Sequence, residues 1–234
     1  MKKAALFGDS LTTGRIGIAY RRYIPVPSEV HGIEGDTLAG TMSRIRRYLS
    51  RRSPGRLTTI VLQAGANDLL LPFMAKRYPD WNRTIQVQLP TEDIDTFRRR
   101  VLSDFEELST LVGDTLLVCC SLPILGEQLG SELNRTRAER NEVLFNAVQQ
   151  IRNFQWCDIT TAVENLIVDQ GGDSPYLPEH PQDLETDVSR IVADEEKAAM
   201  VSRERQLIAT IDGIHPNGAG AQLIGTAITT SLRW

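Results

Sequence analysis

Three separated stretches of the 234-residue chain hold residue types suited to acyl transfer: FGDSLTTG at 7–14, QAGAND at 63–68 and IDGIHPNGAG at 211–220. A serine hydroxyl attacks a carbonyl only when a base takes its proton. Histidine suits that task because it titrates near neutrality. The chain has three histidines, His31, His180 and His215. His180 sits in EHPQ, a proline-rich loop with no evident carboxylate to orient it. His31 falls in a short predicted strand and reads as a structural histidine. His215 follows Asp212 by three positions. A turn of that length can set a carboxylate against one ring nitrogen and leave the other to face Ser10, the orienter–base relation of a triad. The same residues also suit capping of a last helix entered through Pro216 and Gly218. From this motif alone the two readings are level.

Acyl transfer also needs donors aimed at the developing oxyanion. The Asn67 carboxamide follows a buried strand and a glycine, although Asn67-Asp68 also suits an Asx turn. A backbone N–H beside Gly35 in EGDT is a second candidate, because glycine lets a ligand approach the chain closely. The Ser10 amide, near the start of the next helix, is a third.

Other chemistries fit less well. Gly8 to Gly14 is one residue too wide for a phosphate-binding P-loop, and no Lys-Ser or Lys-Thr follows. The G-x-G-x-x-G, G-x-S-x-G and H-E-x-x-H patterns are absent. Asp9, Asp36, Asp68 and Asp212 offer oxygens for Mg²⁺, but that reading leaves Ser10 and His215 without complementary roles. No metal or cofactor is therefore expected.

Composition narrows the class further. A hydrophobic share of 41% with 24% charged residues is that of a soluble globular chain. A net charge of -4 gives no nucleic-acid footprint. The basic run RIRRYLSRR at 44–52 has helical spacing and reads as the solvated face of a helix. The run after Met1-Lys2-Lys3 is too short for a secretory signal, and no apolar run is long enough to span a membrane. Cys119, Cys120 and Cys157 read as reduced thiols, which points to the cytoplasm.

The elements that must position these residues alternate between two periods. Strands are predicted at 3–8, 30–33, 58–65, 115–123 and 154–159. Helices are predicted at 37–53, stopped by Ser53-Pro54-Gly55, and at 92–112, 134–152 and 217–232. A short helix and a loop are expected within 14–29. The 92–112 pattern runs through Phe97, Val101, Phe105, Leu108 and Val112; the 134–152 pattern runs through Ala138, Val143, Leu144, Ala147 and Ile151. Strands with nearly continuous apolar runs, alternating with helices, predict an open parallel sheet covered on both faces. Ligands of such sheets sit beyond the carboxyl ends of the strands, where Ser10, Gly35 and Asn67 all fall. The stretches 70–91 and 165–210 do not fit the minimal repeat and read as insertions in a single domain spanning 1–234. Phe73, Met74, Tyr78 and Trp81 are candidates for an acyl pocket, with core packing the commoner use.

Taken in order, FGDSLTTG, GIEGDTLAGTMSRI, the stretch Leu57–Asp68 ending in GAND, and DGIHPNGAG resemble the four blocks of the SGNH hydrolases, the GDSL lipase/esterase family. Glu34 stands where that family frequently has serine. The resemblance implies a flavodoxin-like three-layer α/β/α fold and metal-free, cofactor-free hydrolysis of acyl esters or thioesters. It implies Ser10 as nucleophile, His215 as base, Asp212 as its orienter, and an oxyanion hole from Ser10, Gly35 and Asn67. The expected substrate is a small or medium carboxylic ester. The alternatives are a thioesterase or lysophospholipase of the same fold, and a carbohydrate- or partner-binding module without turnover.

Overall fold

Among the described residues, five short strands form one parallel sheet. The computed structural model describes residues 3–51, 59–84 and 93–232. The strands are β1 (Ala4–Gly8), β2 (Ser28–Gly32), β3 (Thr59–Gln63), β4 (Leu116–Cys120) and β5 (Phe154–Cys157). They pair in the order β2-β1-β3-β4-β5, every pair parallel. β1 and β3 are buried at every residue, as their nearly continuous apolar runs require, with the polar Thr59 and Gln63 buried at the two ends of β3. β2 lies at the edge and is half-buried throughout. The predicted stop Ser53-Pro54-Gly55, Leu57, the end of the 70–91 stretch and the predicted element ends at 58 and 92 lie outside the described residues.

Helices cover both faces. α1 (Ser10–Thr13) and a 3-10 turn (Tyr20–Tyr23) link β1 to β2, and α2 (Leu38–Ser50) leads to β3. After β3 come α3 (Asn67–Arg77), α4 (Pro79–Thr84) and α5 (Ile94–Val112), and α6 (Glu132–Gln149) joins β4 to β5. The chain closes with α7 (Thr161–Asp169), α8 (Pro181–Ile191), α9 (Glu195–Glu204) and α10 (Gly218–Ser231). α2, α5 and α6 pack side by side as one layer, while α10 packs on the 3-10 turn, α7 and β5 in the other. This is the three-layer α/β/α arrangement, and the strand order is the flavodoxin-like one. Among the described residues, no helix is long and apolar enough to cross a membrane.

The helical faces follow their side chains with two departures. α5 buries Phe97, Val101, Phe105, Leu108 and Val112, the predicted stripe. α6 instead turns Ala138 outward and buries Arg137 and Arg140. Arg137 reaches Glu164 at 2.5 Å, and the Arg140 guanidinium lies 4.4 Å from the centre of the Phe97 ring. Two long cationic side chains thus take interior places that periodicity assigned to a methyl group. The basic run of α2 departs similarly. Arg44 and Arg46 are half-buried and paired, with Asp36 and with Asp104 and Glu107 respectively, while Arg47 and Arg51 are exposed.

The two stretches read as insertions are mainly helical where described, and they touch each other. The Trp81 indole donates to Glu179 O at 2.9 Å, tying α4 to the approach of α8. Met74 and Trp81 are buried in the core, and Phe73 and Tyr78 pack against it. Cys119, Cys120 and Cys157 are free thiols, all buried.

The chain runs from β1 outward to β2, then crosses β1 to reach β3. That reversal opens a crevice between the carboxyl ends of β1 and β3. The end of β1 is closely packed there. A Cβ on Gly8 would lie 2.1 Å from Gln63 O and 2.1 Å from Thr12 Oγ1. Gly8→Ala must therefore separate β1, β3 and α1. It is expected to lower the unfolding free energy by about 3 kcal/mol, read from urea denaturation; an unchanged midpoint would mean that these elements part without cost.

Candidate active site

Ser10 stands just beyond β1, as the first residue of the one-turn helix α1. Asp9 caps that turn: its Oδ1 accepts from Leu11 N at 3.0 Å, and its backbone oxygen accepts from Thr12 N and Thr13 N at 3.1 Å each. The cap fixes the direction in which Ser10 projects. Ser10 is buried, with 9% of its surface exposed. The Ser10 amide has no backbone acceptor among the described residues.

His215 reaches Ser10 across nearly the whole chain. Its Nε2 lies 2.9 Å from Ser10 Oγ, and its Nδ1 lies 2.6 Å from Asp212 Oδ2. A carboxylate cannot donate, so Nδ1 carries the hydrogen and Nε2 of the neutral ring accepts from the serine O–H. Asp212 is fully buried. Its other oxygen, Oδ1, accepts from Ile214 N at 2.9 Å and His215 N at 2.7 Å. The three-residue spacing thus caps a tight turn and orients the ring at once. α10 has its own cap, Asn217, whose side chain accepts from Gly220 N at 3.1 Å. Capping of the last helix therefore does not occupy Asp212 or His215.

The electrostatics of the pair follow from this geometry. Burial pushes the Asp212 carboxyl up, but the His215 charge, the ring N–H and the two amides outweigh burial and hold its pKa below the usual range. Burial pushes the His215 imidazolium down, but the Asp212 charge and hydrogen bond outweigh that, and its pKa lies above the ordinary value.

Asn67 and Gly35 come together from the neighbouring strands. Asn67 opens α3 after β3 and is 6% exposed; its Nδ2 donates to Asp36 O at 3.0 Å. A carboxamide nitrogen carries two hydrogens, so one remains for a ligand. Gly35 sits at φ +72 in a turn closed by Asp36 N donating to Ile33 O at 3.2 Å. The space where its Cβ would lie is open, and its amide has no backbone acceptor among the described residues. Asp68 Oδ2 accepts from Leu38 N at 2.9 Å, which joins α3 to the start of α2. Arg44 fastens the same loop: Nε donates to Asp36 Oδ2 at 2.9 Å, Nη2 donates to Gly8 O at 2.9 Å, and Nη1 donates to His31 O. One guanidinium thus ties the ends of β1 and β2 to the loop that carries Gly35.

The 165–210 stretch braces the turn that carries Asp212 and His215. Arg205 makes a bidentate pair with the buried Asp187, at 2.8 and 2.9 Å, and its Nη1 also donates to Ile211 O at 2.7 Å, one residue before Asp212. Its guanidinium lies 4.7 Å from the centre of the Tyr176 ring. Neither Arg205 nor Asp187 was singled out by sequence, since each looks like one more charge on a charged helical segment.

The remaining histidines lie elsewhere. His31 stacks on Phe7 at 4.5 Å, with Tyr48 edge-on at 5.0 Å. His180 does have a carboxylate beside it, Asp80 Oδ2 at 3.1 Å, supplied from α4. Among the described residues, no group of three His, Cys, Asp or Glu side chains is arranged to hold an ion.

Asp9 carries a consequence of its own. It is fully buried, and its Oδ2 has no hydrogen-bond partner among the described residues. Burial pushes its pKa up to about 7, against the lowering effects of the Leu11 amide and His215. The folded protein therefore binds more protons than the unfolded chain between pH 4 and 7. Asp9 thus costs stability progressively as pH rises through that window. Asp9→Asn keeps the cap oxygen and removes the charge. It is expected to raise Tm at pH 8 and to lose most of that advantage at pH 4, read from melts at both values.

The family model for GDSL-like lipase/acylhydrolase matches residues 5–228. None of the curated proteins matches the chain. Solved structures do. A member of the lipolytic G-D-S-L family from Veillonella parvula DSM 2008 superposes with TM-score 0.59 at 16% identity, covering 97% of this chain and 96% of that one. An acetylxylan esterase from Geobacillus stearothermophilus gives TM-score 0.62 at 15% identity, covering 100% and 94%. An alpha/beta hydrolase from the metagenome of Lake Arreo, Spain, gives 0.62 at 13%, covering 100% and 97%. At such identities these likenesses speak to the fold, and the match of the family model decides membership: the chain belongs to the GDSL-like lipase/acylhydrolase family of ester hydrolases.

Proposed function

We propose that the chain hydrolyses small or medium carboxylic esters through an acyl-enzyme on Ser10. The observation that carries this reading is the unbroken hydrogen-bond line Ser10 Oγ, His215, Asp212, at 2.9 and 2.6 Å. Ser10 Oγ attacks the ester carbonyl as its proton passes to His215 Nε2. Asp212 holds the ring and balances the imidazolium. The Ser10 and Gly35 amides and the second Asn67 N–H meet the oxyanion. His215 then returns the proton to the leaving alcohol as the carbonyl C–O bond breaks. Water, deprotonated by the same nitrogen, attacks the acyl-enzyme, and the proton goes back to Ser10 as the acid departs. No metal or cofactor enters this sequence. The acetylxylan esterase of the same fold makes acetyl esters the first substrates to try.

A fluorophosphonate probe tests the nucleophile. Label is expected on Ser10 and lost in Ser10→Ala. The labelling rate should rise with pH about a midpoint above roughly 6.5, because His215 must be neutral to accept the proton. A folded protein that stays unlabelled would favour ligand binding without turnover. Acetyl, butyryl and long-chain esters with matched thioesters, ranked by kcat/KM, then define the acyl group and the leaving atom.

Removal of the Asn67 donor should act mainly on the transition state. Asn67→Ala is expected to lower kcat by about 10²–10³-fold with little change in KM. A KM effect alone would assign Asn67 to substrate binding instead.

A further inference from the structure

Glu127 lies in the loop after β4 and is fully buried. Its carboxylate accepts four hydrogen bonds, all from one short segment near the end of the chain. Oε2 accepts from Ile208 N at 2.7 Å. Oε1 accepts from Ala209 N at 2.9 Å, Thr210 N at 2.8 Å and Thr210 Oγ1 at 2.7 Å.

That segment is the base on which the acid–base turn stands. Thr210 Oγ1 accepts from Gly213 N at 3.1 Å, and Gly213 O accepts from Gly126 N, the neighbour of Glu127, at 2.7 Å. Ile211 N donates to His215 O at 2.9 Å, and Thr210 bridges to Pro216. Asn217 folds back as well, its amide donating to Ala209 O at 3.0 Å and its Nδ2 to Ile208 O at 2.8 Å. Residues on both sides of Asp212 and His215 thus rest on three residues that one carboxylate holds.

We infer that Glu127 is a positioning residue for proton transfer between Ser10 and His215. It touches neither side chain and acts through Thr210 and Gly213. Residues 208–210 offer three N–H groups and a hydroxyl to one buried point. Only a group with two acceptor oxygens meets all four. A glutamine keeps one oxygen, but its NH₂ then faces the Ile208 N–H, donor against donor, and the segment must shift. A shift of about 1 Å at the reacting atoms can cost on the order of 10²-fold in rate.

The inference rests on the proposed hydrolase reading, so its test has one readout that needs no turnover. Wild type, Glu127→Gln and Thr210→Val are compared by kcat and KM on an acetyl ester, and by the downfield proton resonance of His215 Nδ1–H. Thr210→Val keeps the shape of the side chain but removes the hydroxyl link, so it decides the matter if Glu127→Gln fails to fold. The expected result is a fall in kcat on the order of 10²-fold for Glu127→Gln, with KM little changed and the resonance shifted or broadened. Thr210→Val should show a smaller loss in the same direction. Unchanged kcat and resonance in a folded variant would overturn the inference, whatever the change in Tm. So would a lower kcat with an unmoved resonance. If wild type neither turns over esters nor labels at Ser10, the hydrolase reading fails. The resonance alone then decides whether Glu127 holds the Asp212–His215 pair.

Discussion

A carboxylate taken wholly out of water must be surrounded by donors, or it will not stay charged. Asp212 meets that demand with the His215 ring N–H and the amides of Ile214 and His215. Those donors converge only if the chain turns back sharply after Asp212. The same reversal swings the imidazole outward, with its free nitrogen toward Ser10. The conformation that satisfies the buried charge is therefore also the one that lines up Ser10, His215 and Asp212 in a single hydrogen-bond chain. Arg205 and Asp187 add a second charge pair behind the turn, so the anion is not left to its own loop.

Fold and site meet at the point where the strand order reverses. Ser10, Gly35 and Asn67 follow β1, β2 and β3, three neighbours in the sheet. Regular parallel register therefore brings their loops to one end, and short ties do the rest. Arg44 binds the ends of β1 and β2 to the Gly35 loop, and Asn67 spends one of its hydrogens on that loop as well. The Gly35 loop and the Asn67 carboxamide are thus held in place by the protein's own hydrogen bonds.

Much of this was legible in the sequence, for reasons that differ from part to part. The nearly continuous apolar runs of β3 and β4 and the stripe of α5 are strong local signals, and the elements follow them within a few residues. The candidate site residues stand in short motifs at strand ends, where the residue types that suit a turn also suit the proposed chemistry. The long-range ties were not legible. Arg137 and Arg140 look like solvated charges until Glu164 and the Phe97 ring are seen beside them. Pro72 argues against a helix, yet α3 runs through it, packed on α4 and α6. Glu127 is one acid in the loop ILGEQLG, and its partners are backbone amides 81 to 83 residues away. Backbone groups carry no residue-specific mark, so no pattern of side chains announces them.

The hydrogen bond between Ser10 and His215 joins positions 205 residues apart. On the ribosome, at roughly 5–20 residues per second, Ser10 is made about 10–40 s before His215. A nascent chain therefore carries the Ser10 hydroxyl through that interval without the imidazole that meets it in the folded protein. The proposed acyl-enzyme chemistry therefore waits on the arrival of His215, and a product cut short before residue 212 is expected to be inert toward an ester.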